Sequence, residues 1–330
     1  MKTERIPIFF AFDNNYVVPA SVAFFSLLSK AQKGIYYEMY VLHADISEEN
    51  QNLLINVTRK QNNAKLTFIN TQGFLNKEWS NGSFAFQHSN SSFTADCLVR
   101  CFAARFFPGL KKIIYSDVDV IFTDDISDLY DIDLTGKYIA GVKNAFARYS
   151  EYELSHLKEE HYNMLHDKYI SAGIWVMNLE KIREDNLEDK MLDIVRDTTI
   201  VKRWPDQDIV NIACEGKVGF IPLNYISYPY MLDLLQKKDF TSDYTRNELY
   251  DSILNPKIIH FAANKPWNSN PQFSNLWWAY FNFLELPYTK IFREIPSAKK
   301  KLKRYRQVTK TLAVLLVFVL SILLWVIYTQ

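Results

Sequence analysis

The sequence predicts an α/β fold with a mostly parallel central sheet, followed by a C-terminal membrane helix. Two observations support this expectation. Over residues 6–261, short apolar runs alternate with segments of helical periodicity, which is the pattern of a sheet covered by helices. Near the C-terminus, residues 311–328 form an almost wholly apolar run that is long enough to cross a bilayer.

Strand and helix candidates follow one another along the chain. Eight apolar segments have the length and composition of strands: residues 6–11, 36–42, 66–70, 112–116, 138–142, 173–178, 218–221 and 257–261. Five segments have helical periodicity: residues 19–29, 47–60, 94–106, 179–196 and 206–214. Thr94 is a suitable N-cap for the third of these, and Pro108-Gly109 is expected to end it.

Two aspartates separated by one valine interrupt the apolar run at residues 111–122. A strand rises about 3.3 Å per residue, and its side chains at positions i and i+2 point to the same face. We therefore expect Asp117 and Asp119 to converge while Val118 turns into the core. Hard carboxylate oxygens of this kind suit Mg²⁺ or Mn²⁺, with substrate phosphates completing the coordination.

Spacing alone does not single out this pair, because Asp131-Ile132-Asp133 and Asp206-Gln207-Asp208 repeat the same pattern. The apolar residues on both sides of the first copy favour it, since they place its carboxylates at a strand end beneath a crevice. The alternative is a pair of solvated acids where a strand leaves the sheet.

Composition indicates a globular protein. Of the 330 residues, 48% are hydrophobic and 15% aromatic, which excludes a disordered chain. Three cysteines, Cys97, Cys101 and Cys214, cannot all pair, and no signal peptide is recognisable at the N-terminus. These observations favour a reducing cytoplasm. Cys97 and Cys101 have helical i, i+4 spacing, but two thiols without further ligands are more typical of packing than of metal binding.

The C-terminal region combines a basic segment with the apolar run. Residues 297–310 contain seven basic residues and no acid, although the whole chain has a net charge of only +1. A helix over residues 311–328 would be about 27 Å long, close to a hydrocarbon thickness of about 30 Å. The basic segment is expected to stay on the cytoplasmic side and to contact anionic lipids. A buried core helix is the alternative.

These features divide the chain into a main domain at 1–290, a basic juxtamembrane segment at 291–310 and an anchor at 311–328. Ahead of the basic segment, residues 272–284 place Trp277, Trp278, Phe281 and Leu284 at helical spacing. Core packing is the preferred interpretation of these aromatic residues. The alternative is an interfacial belt that lies on the bilayer.

Five motifs together resemble a known family. They are FAFDNNY at 10–16, LVRCFAARFFPGLKKIIYSDVDVIF at 98–122, YISAGIWVMNL at 169–179, WPDQDIVN at 204–211 and HFAANKPW at 260–267. In order and spacing they are similar to those of glycosyltransferase family 8, which includes bacterial lipopolysaccharide galactosyl- and glucosyltransferases and glycogenin-like enzymes.

The resemblance implies a GT-A fold, a Rossmann-like fold of nucleotide-diphospho-sugar transferases. It also implies a UDP-sugar donor, a Mn²⁺ ion, with Mg²⁺ possible, and transfer with retention of configuration. The implied acceptor is a glycolipid or oligosaccharide, such as a lipopolysaccharide core, and no nucleic acid is expected. The expected location is the cytoplasmic side of the inner membrane.

The resemblance also assigns the metal and phosphate contacts. Asp117, Asp119 and His260 would bind the ion, and Lys265 would neutralise the diphosphate. Taken alone, a histidine at the end of a strand is more typical of a structural role, but the nearby lysine favours the ligand role. Many relatives have one more residue, and a glycine, between this histidine and this lysine.

Nucleotide contacts are assigned in the same way. Ala11, Asp13 and Asn15 match positions that hold uracil and ribose in the family, and Arg100 matches an arginine near the donor. From the residues alone, Asp13 is equally well interpreted as a helix N-cap. Arg100 is equally well interpreted as a structural ion-pair partner.

The sugar end of the donor would lie against Asp206, Gln207, Ser171 and Ala172. Asp206 would accept hydrogen bonds from donor hydroxyls, and Gln207 would lie near the anomeric carbon. Because an amide is a poor nucleophile, a front-face mechanism is the better hypothesis. Asp206 and Asp208 could instead simply begin a helix. Ser171 replaces an asparagine common in relatives, which leaves the donor sugar open.

Two other classes of protein remain as alternatives. In a haloacid-dehalogenase-like phosphatase, Asp117 would be the nucleophile and Asp119 the acid/base. That interpretation leaves more than a hundred residues before the motif unexplained, and it does not explain HFAANKPW. The second alternative is a membrane-tethered protein that binds a nucleotide sugar without catalysis.

Overall fold

The computed structural model describes residues 3–79, 95–147, 149, 167–197, 199–200 and 202–286. Thr94, the basic segment at 291–310 and the apolar run at 311–328 lie outside these ranges. Within the described ranges, no helix has both the length and the apolar character that a bilayer crossing requires. The division of the chain into three parts therefore stays a prediction.

A seven-stranded sheet lies at the centre of the described structure, in the order β3-β2-β1-β4-β7-β6-β8. Six of its strands run parallel, and β7 alone runs antiparallel to its neighbours β4 and β6. The predicted mostly parallel α/β sheet is confirmed. The strands of the described region are β1 Glu4–Ala11, β2 Ile35–His43, β3 Ala64–Asn70, β4 Lys112–Ser116, β5 Val120–Phe122, β6 Ile139–Lys143, β7 Ile170–Asn178, β8 Val218–Ile221 and β9 Ile258–His260.

Helices cover both faces of the sheet. As a result, consecutive residues of β1 are buried on both faces: Ile6, Ile8, Phe9 and Phe10 are all fully buried, as expected of a central parallel strand. The described helices are α1 Val17–Lys30, α2 Glu48–Arg59, α3 Gln72–Trp79, α4 Ala103–Phe106, α5 Leu179–Glu184, α6 Leu187–Arg196, α7 Pro205–Ala213, α8 Met231–Leu235, α9 Arg246–Leu254 and α10 Ser274–Phe283.

Two of the predicted helices differ in the structure. Residues 179–196 form two helices because Asn186 takes a left-handed conformation with φ of 49°, which asparagine tolerates better than most residues. The described part of residues 94–106 is a 3₁₀ helix, Ala95–Phe102, that continues into α4. That helix ends just before Pro108-Gly109, as predicted.

A second, two-stranded sheet forms beside the first. Strand β5 pairs antiparallel with β9, so that Val120 lies opposite His260 and Phe122 opposite Ile258. This sheet packs against α1 and α10 in a cluster that includes Trp277 and Phe281, both fully buried. The core interpretation of the aromatic segment is confirmed, and the pairing brings His260 beside the aspartates.

The described cysteines behave as packing residues. Cys101 and Cys214 are buried within the cluster on one face of the sheet, and neither forms a disulfide. Burial raises the pKa of Cys214 to about 12, with Lys190 opposing the shift, so its thiol stays protonated at neutral pH.

Candidate functional site

A cavity of 690 Å³ opens where β1 and β4 end and β7 begins. Its volume lies within the range of about 300–1,000 Å³ common for small-molecule sites. Ten of the twelve predicted site residues line it: Ala11, Asp13, Arg100, Asp117, Asp119, Ala172, Asp206, Gln207, His260 and Lys265. Asn15 and Ser171 do not line it.

The two aspartates converge, but not by the predicted geometry. They do not lie on one face of a strand, because β4 ends at Ser116 and β5 begins at Val120. The chain bends between these strands, with Val118 buried at 4% exposure, as expected. Backbone hydrogen bonds hold the bend: the Asp117 N–H donates to the Gly173 carbonyl at 3.0 Å.

Three ligand atoms meet at this bend. His260 Nε2 lies 3.3 Å from Asp117 Oδ2 and 3.1 Å from Asp119 Oδ1. One ligand atom from each of the three residues lies within 4.8 Å of the others. Two carboxylate oxygens and one imidazole nitrogen form a donor set that suits Mn²⁺ better than Mg²⁺, because Mn²⁺ accepts nitrogen beside oxygen. The three residues fit the predicted metal site.

Each aspartate also has a cationic partner. Burial by itself would raise the pKa of both carboxyls, but Arg100 beside Asp117 and Lys265 beside Asp119 hold both pKa values below their usual range. Lys265 also donates to the Phe261 and Ala262 carbonyls, at 2.7 and 3.0 Å. Both carboxylates are therefore ionised near neutral pH, as metal ligands must be.

The imidazole of His260 titrates unusually high. Burial lowers its pKa, but the adjacent Asp119 and Asp117 carboxylates outweigh burial and raise it to about 9. Below this pH a metal ion must displace a proton from the ring. We therefore expect Mn²⁺ affinity to rise about tenfold per pH unit between about pH 6 and 8.

Calorimetric Mn²⁺ titration in buffers of different ionisation enthalpy would count the released proton. An affinity that does not change across this pH range would contradict the protonated imidazole.

The raised pKa of His260 also affects the stability of the metal-free protein. The stabilisation that His260 contributes is fully present below its unfolded pKa of about 6.5 and is lost as the pH rises through about 9.

Gly173 makes room for the imidazole. A Cβ atom on this residue would lie 2.5 Å from His260 Nδ1 and 2.5 Å from Ile226 Cδ1. On its other side the ring packs against Tyr228, with ring centroids 5.5 Å apart. Sequence reasoning missed this role, although glycine inside a strand is itself a signal of close approach.

Replacing Gly173 with alanine is expected to weaken Mn²⁺ binding by about 10- to 100-fold, the usual effect of disturbing the support of a metal ligand. The added methyl would overlap the Nδ1 side of the ring and displace the imidazole from its position beside the aspartates. Electron paramagnetic resonance of free Mn²⁺ measures this without any turnover. Gly109→Ala is the control, because nothing lies within 4 Å of its added Cβ. Equal affinities of the two variants would contradict the role of Gly173.

Asp13 serves two purposes at the end of β1. Its carboxylate caps the 3₁₀ turn Asn14–Tyr16, accepting from the Asn15 N–H at 2.9 Å and from Asn15 Nδ2 at 3.2 Å. Asp13 thus caps this turn and not the following helix α1, whose N-cap residue Tyr16 makes no side-chain cap hydrogen bond, and it also lines the cavity. Asn15 does not line the cavity, but its side chain holds the Asp13 carboxylate through the hydrogen bond from Nδ2. Tyr16, which the sequence did not single out, lines the cavity beside it.

Arg100 contacts carboxylates at two places in the cavity. It forms an ion pair with Asp117, and its Nε lies 3.4 Å from Asp206 Oδ2. Asp206 is only 4% exposed, and burial raises the pKa of its carboxyl against the opposing effect of Arg100. Asp206 and Asp208 lie in the first turn of α7, so the helix-start interpretation is also confirmed. Asp208 accepts from the Trp204 N–H at 3.0 Å.

Gln207 is held in one orientation. Its Oε1 accepts a hydrogen bond from the Ala172 N–H at 2.9 Å, and the backbone donor identifies the oxygen end of the amide. Ser171, next to Ala172, is buried at 2% exposure, and its carbonyl accepts from Trp175 Nε1 at 2.7 Å. Ala172 thus contacts the cavity while Ser171 lies behind the wall.

Comparisons with known proteins agree with this geometry. The family model described as Glycosyl transferase family 8 matches residues 7–271. A putative glycosyltransferase of Haemophilus influenzae is 26% identical over 241 residues, which are 72% of this chain and 68% of that protein. A lipopolysaccharide 1,2-glucosyltransferase of Escherichia coli is 30% identical over 161 residues, 48% of this chain and 45% of that protein.

A solved structure confirms the predicted fold. The crystal structure of the galactosyltransferase LgtC, in complex with donor and acceptor sugar analogs, superposes with a TM-score of 0.68 at 20% identity. The alignment covers 86% of this chain and 98% of that one. The GT-A arrangement expected from the motifs is therefore present.

Proposed function

Because the chain belongs to glycosyltransferase family 8, it is a glycosyltransferase, and we propose that it transfers a hexose from a UDP-sugar to a hydroxyl of a membrane-associated glycan. The observation that carries this proposal is the convergence of Asp117, Asp119 and His260 in one cavity with Lys265 and Gln207. The names of the relatives favour glucose or galactose as the sugar and a lipopolysaccharide core as the acceptor.

The metal end of the cavity would stabilise the leaving group. Asp117, Asp119 and His260 would hold the divalent cation, with Mn²⁺ favoured over Mg²⁺. When bound, such an ion neutralises charge on a departing diphosphate. Lys265 lines the cavity beside these ligands and would place a second positive charge near the diphosphate oxygens. Asp13 and Ala11, at the end of β1, would hold the uridine.

The sugar end favours a front-face reaction. The Gln207 oxygen is already engaged by the Ala172 N–H, so it is poorly placed to attack an anomeric carbon. Asp206, held by Arg100, would instead accept hydrogen bonds from the hydroxyls of the donor sugar. The bond from the anomeric carbon to the phosphate oxygen breaks as the acceptor oxygen bonds on the same face. A phosphate oxygen takes the acceptor proton, and configuration is retained.

The rest of the chain supports a location at a membrane. The basic residues of 291–310 and the apolar run at 311–328 would anchor the domain at 1–290 to the cytoplasmic face of the inner membrane. Anionic lipids would contact the basic segment. Separation of membranes from cytosol, with and without residues 297–330, tests this part of the proposal independently of catalysis.

Incubation with UDP-glucose, UDP-galactose and their N-acetyl analogues, with Mn²⁺, Mg²⁺ or a chelator, tests the activity. Metal-dependent release of UDP from one hexose donor is expected, with Mn²⁺ more effective than Mg²⁺. Proton NMR of the glycan product should show the anomeric configuration of the donor. Release of inorganic phosphate from phosphomonoesters without cleavage of UDP-sugars would instead favour the phosphatase alternative. Binding of UDP-sugars without cleavage would favour the non-catalytic one.

A further inference from the structure

A second cavity of 360 Å³ lies next to the first. Tyr230 and Ala263 line both cavities, so the two spaces share a wall. A ligand in the first cavity that reaches Tyr230 and Ala263 therefore contacts residues that also line the second. The second volume is itself within the range of small-molecule sites.

The lining of the second cavity has the chemistry of a site for hydroxyl groups. Its lining residues carry three amides, two hydroxyls and one carboxylate, from Asn264, Asn270, Gln272, Ser269, Tyr230 and Asp233. Amides both donate and accept hydrogen bonds, as sugar hydroxyls require of a partner. Among the described residues of this lining, none carries a positive charge. An anionic ligand is therefore disfavoured, and a neutral saccharide fits.

The amides are available for a ligand. Within the described ranges of the chain, the side chains of Asn270 and Gln272 form no hydrogen bond with protein groups, and both are exposed. Apolar surface from Pro229 and Phe261 completes the cavity. Convergent polar groups over an apolar wall are typical of small-ligand sites.

The loop that carries these amides is fixed in place. At its start, the backbone N–H groups of Asn268 and Ser269 donate to the Lys265 carbonyl at 3.0 and 2.9 Å. At its end, the Ser274 N–H and hydroxyl donate to the Pro271 carbonyl. Phe273 has a φ of 65° and packs against two core clusters. A loop held at both ends loses little freedom on binding a ligand.

We propose that the second cavity binds a sugar unit of the acceptor glycan, one or more units away from the hydroxyl that is glycosylated. This inference rests on the proposed function, since it names the acceptor as a neutral oligosaccharide that extends past Tyr230 and Ala263. A longer acceptor then gains contacts that a monosaccharide lacks.

The double variant Asn270→Ala/Gln272→Ala tests the proposal. Methyl glycosides of one, two and three glucose or galactose units are titrated with Mn²⁺ and UDP present, and binding is followed by saturation-transfer NMR. The wild type is expected to bind the two- and three-unit glycosides more tightly than the single unit. Loss of two hydrogen bonds should weaken binding of the longer glycosides by about tenfold. Binding of the single unit should not change.

Asn275→Ala is the matched control, because Asn275 is exposed on α10 and lines neither cavity. It should keep the preference for longer glycosides. A wild type without that preference, or a double variant that retains it, overturns the second site. Hydrolysis of the UDP-sugar by water does not need the second cavity. It therefore separates failure of the proposed acceptor site from failure of the proposed function. Normal hydrolysis with no length preference rejects only the second site, whereas absent hydrolysis with every donor rejects the proposed function.

Discussion

Replacing Asp119 with asparagine is expected to slow metal-dependent cleavage of the UDP-sugar by about a thousandfold. A bound cation contributes several kcal/mol of charge stabilisation at the leaving group, and about 4 kcal/mol corresponds to a factor of 10³. The amide keeps the size of the side chain but lacks the charge that faces His260 and Lys265. Metal affinity should fall together with the rate.

Two measurements separate this effect from misfolding. Lys265 also donates to two backbone carbonyls, at 2.7 and 3.0 Å, and these contacts do not need the Asp119 charge, so a cooperative thermal transition is expected to remain in the variant. Asp131→Asn is the matched control, since Asp131 belongs to another Asp-x-Asp sequence but is exposed and lies outside the cavity. It should leave both rate and Mn²⁺ affinity unchanged. Wild-type Mn²⁺ affinity in Asp119→Asn would exclude Asp119 as a ligand.

Replacing Arg100 with alanine is expected to lower the free energy of unfolding by about 3–5 kcal/mol. The guanidinium lies between Asp117 and Asp206, and its own side chain is only 12% exposed. Removing it leaves two largely buried carboxylates without this cation, the most costly way to break a buried ion pair. Urea unfolding of the metal-free protein measures the loss. Arg5→Ala is the control, because its side chain is 65% exposed and its pair with Glu38 should contribute less than about 1 kcal/mol.

The destabilisation by Arg100→Ala should depend on pH. Asp117 has a lowered pKa in the folded protein, so its contribution to stability is present above its unfolded pKa of about 3.8 and is lost as the pH falls. The difference in free energy of unfolding between the wild type and Arg100→Ala should therefore become smaller towards acid pH. A gap of constant size from neutral to acid pH would show that lost packing, rather than lost charge pairing, causes the destabilisation.

Local patterns predicted much of the sheet. The bounds of β4 and β8 agree with residues 112–116 and 218–221, because each is a short apolar run between polar or glycine neighbours. The run is almost wholly buried in β4, whereas in the edge strand β8 the side chain of Phe220 is 51% exposed. The break at Asn186 was not predictable, since helical periodicity continues across it and only the left-handed backbone interrupts the hydrogen bonds. Helix α9 was overlooked although its capping box, Thr245 with Glu248, is visible in the sequence.

The residues of the site were predicted more completely than their arrangement in space. Motifs identified ten residues that line the cavity, but the bend that brings Asp117 and Asp119 together depends on hydrogen bonds to Gly173 and Phe261, distant in sequence. The steric role of Gly173 and the second cavity arise from packing between segments. A glycine within a strand indicates that some group approaches closely, but the identity of that group, here the His260 ring, depends on packing between distant segments.

The pairing of β5 with β9 also determines when, during synthesis, the three residues of the proposed metal site come together. Lys265 and Asp119 are separated by 146 residues, and His260 reaches the aspartates only through β9. A growing polypeptide therefore has the two carboxylates of the proposed metal site without its imidazole until residue 260 has been translated. Truncated chains that end before β9 would carry the two aspartates without the imidazole.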